Sequence, residues 1–289
     1  MNLYIVHAFT PTLFGGNPAG VVLLNQNEPF PKKELCIKIA ADLRYSETVF
    51  VKAEENREKT FEVRYYTPTD QVELCGHATI GAFQAMQQAH WVESTERYHI
   101  NTGKETLPIQ LEEGFVWMTM GSVQLPGPEL TGDQIQQLYK IMGTTHEEED
   151  GLPLIVSTGL PDIMMPLSTQ KKLEELAPDF SALSHLSETY GVTGVHAFTL
   201  EGNDATAHTR NFAPLFGIDE EAATGTASGA LTYYLYHQGL LEPHQNCLFI
   251  QGEAMSRPSR IQTRLREQDT VIIEVGGTSR VMASGTLHI

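Results

Sequence analysis

Apolar positions recur along the chain in two rhythms. Alternating or continuous apolar runs of strand length occur at residues 3–9, 21–24, 48–51 and 61–68, and again at 97–101, 105–111 and 115–120. In the second half they recur at 154–156, 163–167, 195–200, 205–212, 246–251, 260–266, 270–275 and 280–289. Such runs predict half-buried or fully buried strands. Helical spacing appears at 31–43, with Leu35, Ile39 and Ala40 on one side, and at 133–142, with Ile135, Leu138 and Ile141 in phase. Residues 171–190 are polar, helical in part, and are expected to form a surface layer. Two further runs fit neither an amphipathic helix nor a strand. Residues 77–89 carry Ala78, Ile80, Ala82, Phe83, Ala85, Met86 and Ala89, apolar nearly all round, and 226–238 carry Leu231, Tyr234 and Leu235. Helices of that kind are buried. Many strands with one central helix per half predict an α+β fold rather than a Rossmann sheet.

The two buried helices begin alike. The first is entered through Glu73-Leu74-Cys75-Gly76-His77-Ala78-Thr79, the second through Glu220-Glu221-Ala222-Ala223-Thr224-Gly225-Thr226-Ala227-Ser228. Gly76-His77-Ala78-Thr79 and Gly225-Thr226-Ala227-Ser228 share the order glycine, polar, alanine, small hydroxyl. The copies lie about 150 residues apart and suggest two related halves. The first backbone N–H groups of a helix lack intrahelical partners, and with the helix dipole they favour anions. Both starts are therefore expected to converge on one site for a negatively charged group. The Pro- and Gly-rich stretch 120–128 is the expected boundary, giving halves 1–120 and 121–289, with the final strand free to return to the first half.

Composition narrows the function. A formal charge of −17, with only 19 Lys and Arg spread evenly, argues against a nucleic-acid face. Cys36, Cys75 and Cys247 are distant and odd in number, with no disulfide framework and no zinc spacing. They fit a reducing cytoplasm. The first residues show no signal peptide, and no apolar stretch is long enough for a membrane span.

Several residues carry candidate chemistry. Asn17, in Gly16-Asn17-Pro18, is a turn residue or points its amide at a ligand. Glu47 enters an apolar strand, where a carboxylate is either solvated at the rim or held dry, as a general base requires. His77 is a packed or capping residue, or a catalyst. Cys75 is a small buried hydrophobe, or a thiol activated by a helix start. A Cys75–His77 hydrolase is disfavoured, because neighbours on a helix start are expected to have poor mutual geometry.

Together these stretches resemble the phenazine-biosynthesis PhzF-like family, within the diaminopimelate epimerase fold. The matching residues are Phe14-x-Gly16-Asn17-Pro18-Ala19, Ser46-Glu47-Thr48, Tyr66-Thr67-Pro68 leading to Leu74-Cys75-Gly76-His77-Ala78-Thr79, Arg210-x-Phe212-Ala213-Pro214, residues 220–227, and 252–259 with Arg257-Pro258. They span essentially the whole chain. The resemblance implies two similar domains, each a curved, mostly antiparallel sheet around a central helix, with the site in the cleft between them. It implies a homodimeric, cofactor-independent and metal-free isomerase acting on a small anionic metabolite. Glu47 then moves a proton between carbons, assisted by His77 and Glu221, while Asn17, Gly76, Gly225 and Thr226 bind substrate. Glu221 and Thr226 stand where the family usually has Asp and Ser, so the phenazine substrate itself does not follow. The epimerases of this fold use one cysteine from each half. Here the counterpart of Cys75 is Ala223 or Thr224, which disfavours a two-cysteine racemase. A binding protein without turnover on the same scaffold is the alternative.

Overall fold

The computed structural model describes residues 1–25, 28–125, 129–267 and 269–288. The chain forms two compact units, Met1–Thr119 with Gly276–Ile289, and Met120–Val275. The expected boundary stretch is 120–128, of which 126–128 lie outside the described residues. Gly276–Ile289, which carries the last strand, groups with the first unit.

The first unit contains β1 (Asn2–Ala8), β2 (Asn17–Leu23), α1 (Lys33–Leu43), β3 (Thr48–Ala53), β4 (Thr60–Tyr66), β5 (Gln71–Val72), α2 (Gly76–Gln88), β6 (Arg97–Asn101), β7 (Thr106–Glu112) and β8 (Phe115–Thr119). The second contains α3 (Gly132–Ile141), β9 (Leu154–Ser157), β10 (Pro161–Leu167), α4 (Gln170–Glu174), α5 (Phe180–Tyr190), β11 (Gly194–Thr199), β12 (Ala207–Ala213) and β13 (Ile218–Glu221). It continues through α6 (Gly225–His237), β14 (Asn246–Gln251), β15 (Ser259–Glu267) and β16 (Val271–Gly277), and β17 (Ser279–Thr286) returns to the first unit.

In the first unit the strands pair in the order β17, β1, β2, β3, β4, β6, β7, β8, with β5 on β4. Helix α2 touches β17, β1, β2 and β3, and also β8 at the other end of that order. The sheet therefore curls round the helix. This is why α2 lacks a polar stripe: Ala78, Ile80, Ala82, Phe83, Ala85 and Met86 are all buried. Burying Ile80, Phe83 and Met86 stabilises the unit by about 1.5–3 kcal/mol per side chain. Helix α1 covers the outer face, where Cys36, Ile39 and Ala40 pack with Val22, Phe50 and Tyr66. With both faces covered, Val49-Phe50-Val51 reads as a continuous apolar run instead of alternating.

The second unit repeats the scheme. Its order is β9, β10, β11, β12, β14, β15, with β13 on β12. The parallel pairs β10/β11 and β12/β14 correspond to β2/β3 and β4/β6. Helix α6 touches β9, β10 and β15 as α2 touches its own strands. Residues 171–190 are more than a surface layer. Leu173, Leu183 and Leu186 enter a core with Ile135, Leu138, Ile163, Met165 and Val195. Lys172 anchors α4 by donating to the fully buried carboxylate of Asp150 at 2.9 Å.

Candidate functional site

The shared start of α2 and α6 has a local cause. Thr79 Oγ1 donates to the carbonyl of Cys75 at 2.8 Å, and Ser228 Oγ donates to that of Thr224 at 2.9 Å. The small hydroxyl in the fourth place of each motif thus ties the first turn to the residue before the helix. Buried Tyr65 donates to Thr79 Oγ1 at 2.6 Å and holds it there. Neither Cys75 nor Thr224 caps its helix through a side chain.

Three loops of the first unit deliver side chains to the start of α2. Gly16 has φ +64°, and a Cβ there would lie 2.1 Å from the Ala8 carbonyl oxygen. Only glycine fits, and the turn it makes sets Asn17 at the first position of β2. Glu47 precedes β3, with its carbonyl accepting from Gly20 N–H at 3.3 Å. His77 lies in the first turn of α2.

These residues meet. Asn17 Nδ2 is 3.3 Å from His77 Nδ1, and Glu47 Oε2 is 3.3 Å from His77 Nε2. Ser46 Oγ is 3.5 Å from Nε2. Cys75 Sγ is 3.3 Å from Nδ1 and 3.8 Å from Nε2. Cys75 thus touches the imidazole, but its near-equal distances to the two nitrogens set the sulfur over the ring and not along either lone pair. Cys75 has extended backbone, φ −140° and ψ 112°, which turns its thiol back onto the helix start.

His77 is 4% exposed. Burial lowers its pKa, and the charge of Glu47 only partly opposes this. The imidazole is therefore neutral at pH 7. With Asn17 donating to Nδ1, the ring proton sits on Nε2, toward Glu47 and Ser46. Glu47 Oε2 is buried and has no hydrogen-bond partner. It stands close to the imidazole without the alignment of a hydrogen bond. A carboxylate oxygen kept from water in this way is suited to accept a proton.

In the second unit, Glu220 is not available for chemistry. It forms a two-pronged ion pair with Arg210, Nε to Oε1 at 2.9 Å and Nη2 to Oε2 at 2.8 Å. The remaining nitrogen of Arg210 donates to the carbonyls of Leu173 and Leu176, both at 3.0 Å. Glu221 instead accepts from Thr224 Oγ1. Gln251, at the end of β14, donates to the Glu221 carbonyl at 2.7 Å and accepts from Thr224 N–H at 3.2 Å. Ser259 Oγ donates to the carbonyls of Ala222 and Gln251. Residues 221–224, which lead into Gly225 and Thr226, are thus held from two strands. The Thr226 carbonyl accepts from Thr158 Oγ1 at 3.0 Å.

The structure gathers Asn17, Glu47, His77 and Gly76 in the first unit and sets Glu221, Gly225 and Thr226 at the start of α6. Sequence reasoning missed Ser46 as a neighbour of the imidazole and Gln251 as the brace of the Glu221 loop. Ser46 was visible within Ser46-Glu47-Thr48. Gln251 carried no signal, since nothing in a strand-end glutamine announces a contact 30 residues upstream.

A sheet curled round one central helix, built twice in the same strand order, is the diaminopimelate epimerase-like class of fold. The structure matches a PhzF-family protein of Bacillus anthracis with TM-score 0.86 at 24% identity, covering 100% of this chain and 99% of that one. It also matches a hydroxyproline epimerase of Agrobacterium vitis with TM-score 0.65 at 13% identity, covering 99% and 91%. The chain belongs to the phenazine biosynthesis-like family PhzC-PhzF, whose model matches residues 6–285. It is 33% identical to an uncharacterized isomerase of Clostridium acetobutylicum over 99% of this chain and 97% of that one. It is 27% identical to the trans-2,3-dihydro-3-hydroxyanthranilate isomerase of Pseudomonas fluorescens, over 99% of each. The protein is an isomerase. Among the described residues, no helix is long and apolar enough to cross a membrane.

Proposed function

We propose that the protein moves a proton between carbons of a small carboxylate-bearing metabolite, without a cofactor, and that Glu47 carries the proton. The observation behind this is the buried Glu47 Oε2, which has no hydrogen-bond partner and faces the neutral ring of His77 at 3.3 Å. The dry oxygen takes a proton from carbon and returns it to another position. His77, donating from Nε2, stabilises the negative charge that develops on the substrate. Asn17 holds the ring in that tautomer.

The substrate class is supported by the starts of α2 and α6, which carry no side-chain cap at the N-cap residue and whose dipoles suit a carboxylate or an enolate. The name of the Pseudomonas fluorescens relative is that of an isomerase of a carboxylate-bearing ring. Glu221, Gly225 and Thr226 are assigned to binding and proton hand-over on the strength of the repeated motif. The change from the family's usual Asp to Glu221 adds one methylene of reach, so identity of substrate with the phenazine enzyme does not follow.

The test is incubation of cyclic and acyclic unsaturated carboxylic acids in deuterated water with the enzyme. Deuterium appearing at carbon supports the proposal. Isomerisation with no solvent label under any condition would replace it with a shielded or hydride-type transfer. Glu221→Gln is expected to lower turnover, and a variant with wild-type kinetics removes Glu221 from the reaction.

A further inference from the structure

Strand register gives the two units matching rows of side chains. In the first unit Val21, Val49, Tyr65 and Val72 stand side by side across β2, β3, β4 and β5. In the second, Met164, His196, Asn211 and Glu221 stand side by side across β10, β11, β12 and β13. Val72 and Glu221 each lie four residues before the glycine that opens the central helix. Ala19 and Asp162, two residues before Val21 and Met164, extend the rows on the same face. Asp162, His196, Asn211 and Glu221 thus stand where the first unit has Ala19, Val49, Tyr65 and Val72.

The first row shows how little polarity the fold itself asks for. Its one polar atom is the Tyr65 hydroxyl, which holds Thr79 in the first turn of α2. The second row instead buries a carboxyl, an imidazole and an amide almost completely. Among the described residues, Asp162 Oδ1 and His196 Nε2 have no hydrogen-bond partner. Burying such groups is costly, and sites that keep them are candidates for function. The pairing is also irregular at this place. Asn211 stands against Glu221 and Ala213 against Ile218, so β12 takes two steps where β13 takes three. Bulged pairings of this kind re-aim side chains beside active sites.

His196 sets how Asn211 presents its amide. The ring Nδ1 is 3.0 Å from Asn211 Oδ1. Burial holds the pKa of His196 down at about 4, against the pull of the Asn211 bond, so the ring is neutral and carries one N–H. A proton on Nε2 would be a buried donor without an acceptor, so the proton sits on Nδ1 and is donated to Oδ1. With Oδ1 engaged from β11, the amide nitrogen is left for the side of β13, where Glu221 stands.

We propose that Asn211, oriented by His196, is a specificity-determining residue whose amide N–H donates to a hydroxyl or oxo oxygen that the substrate carries besides its carboxylate. This rests on the reading that Glu221 and the start of α6 bind substrate. A donor on Asn211 beside an acceptor on Glu221 matches a hydroxyl, which uses both, or an oxo oxygen, which uses the donor. The acid that fits is a hydroxy or oxo acid, and its unsubstituted parent leaves the amide unpaired.

The test has two arms. The first needs no ligand. In protein labelled with nitrogen-15 histidine, the His196 ring signals, assigned by their loss in His196→Gln, should show Nδ1 protonated and Nε2 bare between about pH 5.5 and 8. A proton on Nε2 would overturn the proposal, because the amide then turns its oxygen toward Glu221. The second arm reads affinity by calorimetry for matched acids: cyclohexene carboxylate and crotonate, each with and without a hydroxyl or oxo group. The wild type should bind at least one oxygenated acid about tenfold or more tighter than its parent, the effect of one buried donor left unpaired. Asn211→Leu should shrink that ratio to no more than about twofold. His196→Val, which installs the residue of the matching place in the first unit, should shrink it with Asn211 still present. His196→Gln, which can still donate to Oδ1, should keep most of it. Circular dichroism and Tm establish that each variant is folded. A wild type without the preference, or a preference that survives Asn211→Leu, would overturn the proposal. Affinity is read without turnover, so a hydroxy acid that binds through Asn211 but takes up no deuterium would uphold this role and remove the proton-transfer reading.

Discussion

Glu47 and His77 face each other across 3.3 Å in the first unit, a buried carboxylate oxygen without a hydrogen bond against the ring of a buried imidazole. Glu47→Gln keeps the shape of the side chain but cannot take up a proton. It should lower solvent deuterium exchange and turnover by at least about a hundredfold, the low end of what a general base contributes. Substrate affinity, measured by calorimetry on the same variant, should change little. Exchange at the wild-type rate would take Glu47 out of the mechanism.

Cys75 touches the same ring, yet its role in turnover should be small. The equivalent position before α6 is Thr224, so the two-thiol arrangement of the racemases is absent. Cys75→Ser is expected to retain activity to within about tenfold, well short of the loss from removing a general base. Complete inactivation with an intact circular dichroism spectrum would instead indicate thiol chemistry.

Asp162 on β10 makes stability fall as pH rises. Its side chain is 1% exposed, and Oδ1 has no hydrogen-bond partner. Burial pushes its carboxyl up to about 7, although the Gly194 N–H works against this. The unfolded chain releases that proton near pH 4. Between about pH 4 and 7 the native state therefore binds more protons than the unfolded one, and stability declines across that window. Asp162→Asn should remove the decline. Urea melts at pH 5 and pH 8 should show the variant gaining at least about 1 kcal/mol on the wild type between the two, since a tenfold change in proton affinity corresponds to about 1.4 kcal/mol. Parallel pH profiles would refute the assignment.

His208 on β12 acts at a different place. Its Nδ1 lies 2.7 Å from Glu253 and its Nε2 3.1 Å from Asp204. Burial disfavours its charged form, but the bonds to Glu253 and Asp204 outweigh this and raise its pKa. A raised pKa contributes stability fully below about pH 6.5, the unfolded value, and loses it as pH rises through the folded value. His208→Gln should therefore lower Tm more at pH 6 than at pH 8.5. An equal loss at both would mean that the ring acts by packing and not by charge.

Much of the architecture was legible along the chain. The all-round apolar character of Ile80, Phe83 and Met86 announced helices enclosed by sheet, because only burial on every side removes the need for a polar stripe. The repeat of glycine, polar, alanine and hydroxyl marked two halves, and the hydroxyls of Thr79 and Ser228 prove to make the same bond. Short pairings such as β5 and β13 escaped notice, since two to four residues carry too little periodicity to register.

The chain by itself determined where buried helices begin, which residues carry chemistry, and the family those residues belong to. These are local matters: side-chain period, turn-forming glycine and motif order act over a few residues. Only the tertiary structure decided which candidates meet. Asn17, Glu47 and His77 are 30 or more residues apart in sequence and come together because β2, β3 and α2 share one curled sheet. It also decided that Cys75 faces the imidazole and that Glu220 is consumed by Arg210 while Glu221 is left to Thr224. Adjacent residues on a strand point to opposite faces, and what each face meets is set by neighbours distant in sequence.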